Sequence, residues 1–122
     1  MTPEQIELAQ RLAADPTFKW MPGMSYRLWS DILQNWRDAQ RLTGTLTPDD
    51  PHTIPVLADP ATVGCLLALV REAWRSPYAK VTCIAPAFRD TPEVWSCDVG
   101  PGPTFHAPTE GEALALAILG AV

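Results

Sequence analysis

The sequence has few of the features that mark a metal-binding or disulfide-rich protein. It holds only three cysteines, Cys65, Cys83 and Cys97, and no two of them are closely spaced. A disulfide framework usually needs an even number of cysteines, and a structural zinc site usually needs paired ligands such as C-x2-C, so Cys65, Cys83, Cys97 and His106 do not form a typical zinc motif. We therefore expect three reduced thiols on core faces of a cytosolic protein, with no metal and no cofactor.

Charge of either sign is also scarce. Charged residues make up 19% of the 122 residues, with 9 Lys and Arg against 14 Asp and Glu, which gives a net charge of -5. The basic residues are spread singly along the chain, whereas proteins that bind nucleic acid cluster Lys and Arg on one surface. The longest apolar run, Ala113 to Leu119, is far shorter than the roughly 20 residues that cross a bilayer. The first residues also lack the pattern of a signal peptide. We expect no nucleic-acid partner, no membrane and a cytoplasmic location.

No catalytic motif is assembled in the sequence. Cys97 and His106 could form a nucleophilic pair, but a reactive thiolate needs a nearby cation, and this segment offers Asp98 instead. The glutamates mostly occupy predicted helix caps or exposed helix faces, where paired acid-base chemistry is not expected. Gly100 and Gly102 alternate with prolines, which lack the N–H groups of a phosphate-binding loop. We predict no catalytic residue and a protein that is not an enzyme, with a small enzyme using an unrecognised Cys, His or carboxylate site as the alternative.

Helix caps are the clearest local signals that the sequence does contain. A capping box opens the chain at Thr2, an Asp-Pro pair stands at Asp59, and a second capping box stands at Thr109. Apolar residues then recur at helical spacing from each cap. The predicted helices run to Ala14, to about Pro77 and from Glu110 to Leu119, and the last of them is apolar almost all round.

The segment from Ser25 to Arg41 is ambiguous. Its apolar residues Tyr26, Trp29, Ile32, Leu33 and Trp36 fall on one helical stripe, which predicts a second helix over this range. A strand through Tyr26 to Trp29 followed by a shorter helix stays open. Gly44 to Pro55 is rich in Gly, Thr, Pro and Asp, which predicts a loop.

Strand signals are concentrated in the second half of the chain. Lys80 to Ala85 and Glu93 to Val99 predict an antiparallel hairpin, with Cys83 opposite Cys97 if it is symmetric, and Phe105 and His106 predict a further short pairing. Phe18 to Met24 predicts a short strand or an extended segment. The order of elements indicates an α+β fold in one domain over residues 1–122, a small antiparallel or mixed sheet with helices packed on it as an α-β-α sandwich.

Five tryptophans are the feature that stands out. Trp20 and Trp74 are interpreted as core residues because large aromatic side chains are usually buried. For Trp29 and Trp36 two interpretations stay open, core packing and a partner interface, because Trp, Tyr and Arg are the residue types that anchor interfaces. The predicted binding residues are Tyr26, Trp29, Trp36 and Arg37.

Three stretches carry a resemblance to a known family: MTPEQIELAQRLAADPTFKWMPGM, LADPATVGCLLALVREAW and PTEGEALALAIL, a little under half of the chain. They resemble uncharacterised proteins of tailed phages and prophages, some of which carry the phage ABA sandwich domain. The resemblance implies a layered α-β-α fold and an accessory role in the bacterial host cytoplasm. We expect a small protein that binds a host or phage protein, or itself as a homodimer, in counter-defence or host takeover. A minor virion assembly component is a further alternative.

Overall fold

The computed structural model of the chain describes residues 2–30, 34–36, 39–42, 53–84, 93–100 and 103–121. Three helices and seven strands lie in these ranges. The helices are α1 (Pro3–Ala14), α2 (Pro60–Ala73) and α3 (Glu110–Gly120). The strands are β1 (Ser25–Ser30), β2 (Asn35–Trp36), β3 (Gln40–Arg41), β4 (Thr53–Pro55), β5 (Lys80–Ile84), β6 (Val94–Asp98) and β7 (Thr104–Ala107).

The helices begin at the predicted caps. The Thr2 hydroxyl accepts from the Gln5 backbone N–H, and the Gln5 side chain accepts from the Thr2 N–H, which completes the capping box of α1. Asp59 caps α2 through its side chain, which accepts from the Thr62 N–H. The end of α2 comes earlier than predicted, because the chain turns at Arg75 with a left-handed φ of 50°.

The predicted hairpin and its third strand form an antiparallel sheet in the order β5-β6-β7. Its register is two residues away from the symmetric expectation: Val81 lies opposite Cys97, and Cys83 lies opposite Trp95. The prediction that Cys83 faces Cys97 is therefore wrong. The observed register aligns Val81, Cys97 and Phe105 in one row that packs into the core, and burial of such a row is what sets strand register.

The helix predicted from Ser25 to Arg41 is wrong, whereas the strand left open through Tyr26 to Trp29 is confirmed as part of β1. This strand is central in a second antiparallel sheet, paired with β2 and β3 and also with β4. A strand with apolar residues on both faces shows no simple alternation, so its spacing can imitate a helical stripe. Thr53–Pro55, predicted as loop, is strand β4, and residues 43–52 lie outside the described ranges.

The pairing along β1 changes register by one residue along the strand. Trp29 lies opposite Trp36, but Tyr26 lies opposite Gln40.

The core is organised around α3, which packs against α1, α2 and all three strands of the β5-β6-β7 sheet. As predicted, this helix is largely buried, and Ala113, Leu114, Ala117 and Ile118 have no exposed surface. The α+β fold is confirmed, with antiparallel pairing throughout the described strands and the strands divided between two sheets. None of the helices in the described ranges is long and apolar enough to span a membrane.

Candidate functional site

The structure divides the predicted binding residues between two faces of a sheet. Alternate residues of a strand point to opposite faces, so Tyr26 and Trp29 of β1 are separated. The Tyr26 hydroxyl donates to the Gln40 side-chain oxygen at 3.1 Å, and its ring meets Trp20 edge-on with 6.3 Å between centroids. Trp29 and Trp36 share the other face. Arg37 lies outside the described residues.

Trp29 and Trp36 form a cross-strand aromatic pair. Their ring centroids lie 5.4 Å apart with an interplanar angle of 72°, the edge-to-face geometry that aromatic pairs prefer. Both side chains are half-buried, and Trp36 also packs against the core. The predicted helix would place Trp36 at its C-terminal end, whereas in the structure the two tryptophans lie on the paired antiparallel strands β1 and β2. The role of these residues in partner binding stays a prediction.

The two tryptophans interpreted as core residues pack against the core but retain some exposed surface. The Trp74 indole N–H donates to the Ala117 carbonyl at 2.8 Å, which joins the end of α2 to α3. Trp20 meets Phe18 edge-on with 5.1 Å between centroids. Phe18 itself is buried in the irregular segment that was predicted as a short strand or extended chain.

Cys97 lies in surroundings that disfavour a nucleophilic thiolate. Burial, with a smaller contribution from Asp98, raises the pKa of Cys97 to about 11, which disfavours the reactive thiolate. Cys97 lies opposite Phe105 and Ser96 lies opposite His106, so the Cys97 and His106 side chains point to opposite faces of the sheet. The Cys97 and His106 side chains therefore do not form a pair.

The expectation of three core thiols holds for Cys97 alone. Cys65 is half-buried, and Cys83 is exposed because it lies at the end of the sheet, beyond the row that packs into the core. Across the described residues, no three His, Cys, Asp or Glu side chains lie close enough together to hold a metal ion.

The outward face of the β5-β6-β7 sheet brings Ser96, His106 and Asp98 onto adjacent strands, the residue types of a hydrolytic triad. Ser96 lies directly opposite His106, but among the described residues no hydrogen bond joins their side chains. The Asp98 carboxylate accepts from the Gly100 N–H at 3.0 Å. The three residues are neighbours without the hydrogen bonds that activate a serine.

The feature that sequence reasoning missed is the edge of the β5-β6-β7 sheet. Within the described residues, no strand pairs with the outer side of β5, which we call the β5 edge. Tyr78, just before the strand, is 85% exposed, and Ile84, its last residue, is 48% exposed. The exposure of Ile84 could have been predicted from the sequence, because strand alternation places Ile84 on the same face as the polar residues Lys80 and Thr82.

Comparison of the chain with models of protein families, with curated proteins and with solved structures finds no match.

Proposed function

We propose that this chain is a protein-binding module that accepts an extended segment of a partner protein along the β5 edge. The observation that carries the proposal is a strand edge that no other described strand pairs with, which has exposed Tyr78 at one end and exposed Ile84 at the other. An added strand gains main-chain hydrogen bonds from the edge, and pockets or apolar contacts for its alternate side chains supply specificity. An exposed edge that serves no partner is an aggregation liability, which proteins usually cover or shorten.

The chemistry of β5 defines the partner segment. Lys80, Thr82 and Ile84 share the outward face by strand alternation, and all three are exposed. A segment paired with β5 therefore places its own alternate side chains on this face. We expect an apolar residue beside Ile84 and a polar or acidic residue beside Lys80.

The proposed origin of the partner rests on the resemblance of three stretches of the sequence to tailed-phage proteins. On that basis we place the partner among host or phage proteins in the bacterial cytoplasm. The role would be an accessory one, in counter-defence or host takeover.

Selection from a random library of short peptides tests the proposal directly. Selected peptides should alternate apolar and polar residues, and their binding should protect the amide hydrogens of residues 80–84 from exchange. Ile84→Lys should abolish this binding, because it replaces the apolar contact at this end of the strand with a cation. Thr104→Lys is the matched control, since it adds the same charge to the strand at the opposite side of the sheet and should leave binding unchanged.

Three results would contradict the proposal: failure to select any peptide, protection elsewhere in the chain, or equal loss of binding in both variants. Self-pairing of β5 between two copies is a separate outcome. It would appear as a concentration-dependent dimer in light scattering that Ile84→Lys dissociates.

The Trp29–Trp36 pair is a second candidate surface for the same function. The pair consists of two half-buried indoles in edge-to-face contact on the antiparallel strands β1 and β2. Tryptophan contributes large contact areas at interfaces, and it is enriched among the residues that dominate binding energy. Protection of residues 25–30 in the exchange experiment would favour this surface over the β5 edge.

A further inference from the structure

The end of the sheet where β5 finishes and β6 begins is apolar on both faces. Ile84 lies opposite Val94, and strand alternation places this pair on the outward face. Cys83 lies opposite Trp95, and this pair faces inward, on the side where Trp95 packs against the core. The other end of β5 begins with the exposed cation of Lys80. A segment that pairs with β5 therefore meets apolar side chains on both faces at one end only.

The inward side of this sheet end is only partly covered. Val81 is half-buried in the row that packs into the core, whereas Cys83 points to the same side further along the strand and is exposed. Trp95 packs against the core but is only half-buried. A pocket of about 270 Å³ is lined by Trp95 together with Leu57 and Val63. Apolar surface therefore stays open on the inward side of the sheet, next to the β5 edge.

The segment proposed to pair with β5 is the occupant that this surface fits. Residues directly opposite each other on paired strands point to the same face, with Cβ atoms about 4.5–5.5 Å apart. The partner residue opposite Cys83 therefore points inward, and the partner residue opposite Ile84 points outward. Because the cysteine side chain is small, a large side chain on the inward partner residue can lie across it and reach the indole of Trp95.

We infer, on the basis of the function proposed above, that the partner segment carries two adjacent large apolar residues. One faces Ile84 on the outward side, and the other covers Cys83 and contacts Trp95 on the inward side. The outward positions beside Lys80 and Thr82 are polar. A slip of one residue would turn every side chain of the segment to the opposite face, so the apolar pair also fixes the register in which the segment binds.

Peptides selected from the random library test the inference. Those that protect the amide hydrogens of residues 80–84 should contain two adjacent large apolar residues. The indole N–H signals of the five tryptophans in the ¹⁵N-labelled full chain report the inward contact, and Trp95→Phe assigns the Trp95 signal by its loss. The selected peptides should shift the Trp95 signal in a saturable manner.

Alanine versions of the tightest selected peptide separate the two faces of the added strand. Replacement of either residue of the apolar pair should weaken binding by about tenfold or more, because each of them buries a large apolar side chain. Only one of the two replacements should remove the shift of the Trp95 signal, since only the inward residue contacts Trp95.

Substitution of Cys83 tests the same contact from the side of the protein. Cys83→Leu fills the space over the inward face, so it should reverse the preference of the protein from the large inward residue of the peptide to its alanine version. Cys83→Ser is the matched control, because serine is similar in size to cysteine and should keep the preference for the large residue. Cys83 is exposed, so both variants should melt close to wild type.

The outcomes distinguish this inference from the proposed function. Peptides that protect residues 80–84 but lack an adjacent apolar pair, or that leave the Trp95 signal unmoved, would overturn the inference while the β5 edge remains a binding site. An unchanged preference in Cys83→Leu would overturn the inference in the same way. Failure to obtain any peptide that protects residues 80–84 would overturn the proposed function and the inference together.

Discussion

At the scale of single residues, Asp59 connects three parts of the fold. Its carboxylate accepts from the Thr62 N–H at the start of α2 and from the Arg41 guanidinium at the end of β3. The Thr62 hydroxyl in turn accepts from the Ser25 N–H of β1. The hydrogen bond from Arg41 lowers the pKa of Asp59, and the bonds from Thr62 act in the same direction, against the opposing effect of burial.

Replacement of Asp59 separates its capping role from its charge. Asp59→Asn keeps a good cap but loses the ion pair, so it should cost under about 1 kcal/mol at neutral pH. Asp59→Ala should cost a further 0.5–2 kcal/mol or so, because the cap is also lost. The pKa of Asp59 is lowered in the folded state, so the charge of Asp59 stabilises the fold at pH values above its ordinary pKa of 3.8. This stabilisation is lost as the pH falls through the lowered pKa.

Urea unfolding at neutral and acid pH measures these differences. The difference in free energy of unfolding between wild type and Asp59→Asn should disappear at acid pH, whereas the difference between wild type and Asp59→Ala should remain. If the difference between wild type and Asp59→Asn is the same at both pH values, the charge of Asp59 contributes nothing to stability.

The three thiols should differ widely in reactivity. Cys83 is exposed, Cys65 is half-buried, and Cys97 is buried with a pKa raised to about 11. Alkylation of the native protein, followed by peptide mass spectrometry, should therefore label Cys83 first and Cys97 last. In denaturant all three should react at similar rates and titrate as free thiols. Equal rates for Cys83 and Cys97 in the native protein would contradict the observed burial.

At the scale of elements, α3 docks through a glycine that has no space for a side chain. A Cβ at Gly111 would lie 2.0 Å from the Leu57 carbonyl oxygen and 2.8 Å from its carbon. Gly111→Ala should therefore force α3 away from this segment and destabilise the protein by roughly 1–3 kcal/mol or more, the range of overpacking.

Gly64→Ala is the matched control for Gly111→Ala. Gly64 also lies within a helix, but a Cβ added there would have no atom within 4 Å, so the change should stabilise the protein by about 0.5–1 kcal/mol. Thermal unfolding of both variants shows whether each substitution raises or lowers the stability of the protein. Stabilisation by both substitutions would mean that α3 does not approach Leu57 so closely.

The hairpin of β1 and β2 should depend on Trp36 less than the helical core depends on Trp74. Trp36→Ala removes the edge contact with Trp29 and part of its core packing, whereas Trp74→Ala also removes the hydrogen bond to the Ala117 carbonyl and the contact with Phe105. We expect a loss of about 3–5 kcal/mol for Trp74→Ala and a smaller loss for Trp36→Ala. Equal large losses would assign Trp36 to the core and exclude it as a partner contact.

Local signals in the sequence were enough to predict the helices, because a cap such as Asp59 acts within its own turn. The segment from Ser25 to Arg41 was misassigned because apolar side chains lie on both faces of β1, where Tyr26 and Trp29 are each half-buried, and this spacing imitates a helical stripe. The predicted partner of Cys83 was wrong for a related reason, because the register between β5 and β6 depends on which row of side chains packs against α3. For the candidate site, the sequence indicated that Trp29 and Trp36 are unusual. It did not indicate the β5 edge, because only the order of the strands in the folded sheet shows that β5 lies at an edge.

At the scale of the whole molecule, α3 is the element that the other parts share. It contacts two helices and the β5-β6-β7 sheet, whereas β1 is joined to the helices through contacts such as the one between Ser25 and Thr62. Of the eleven residues of α3, seven are buried. The fold therefore depends on a segment that is short, apolar and far along the chain.

Deletion of residues 110–122 should leave no cooperatively folded protein. The deleted helix buries Leu114 and Ile118 completely, and each such side chain contributes roughly 1.5–3 kcal/mol through burial, against a total stability of about 5–15 kcal/mol for a typical domain. Leu114→Ala should cost about 2–5 kcal/mol within the intact chain, while Leu116→Ala on the same helix should cost less, because Leu116 is only half-buried. Calorimetry of the truncated chain should show no sharp transition, and a sharp transition with native-like heat capacity change would establish that the remaining elements fold without α3.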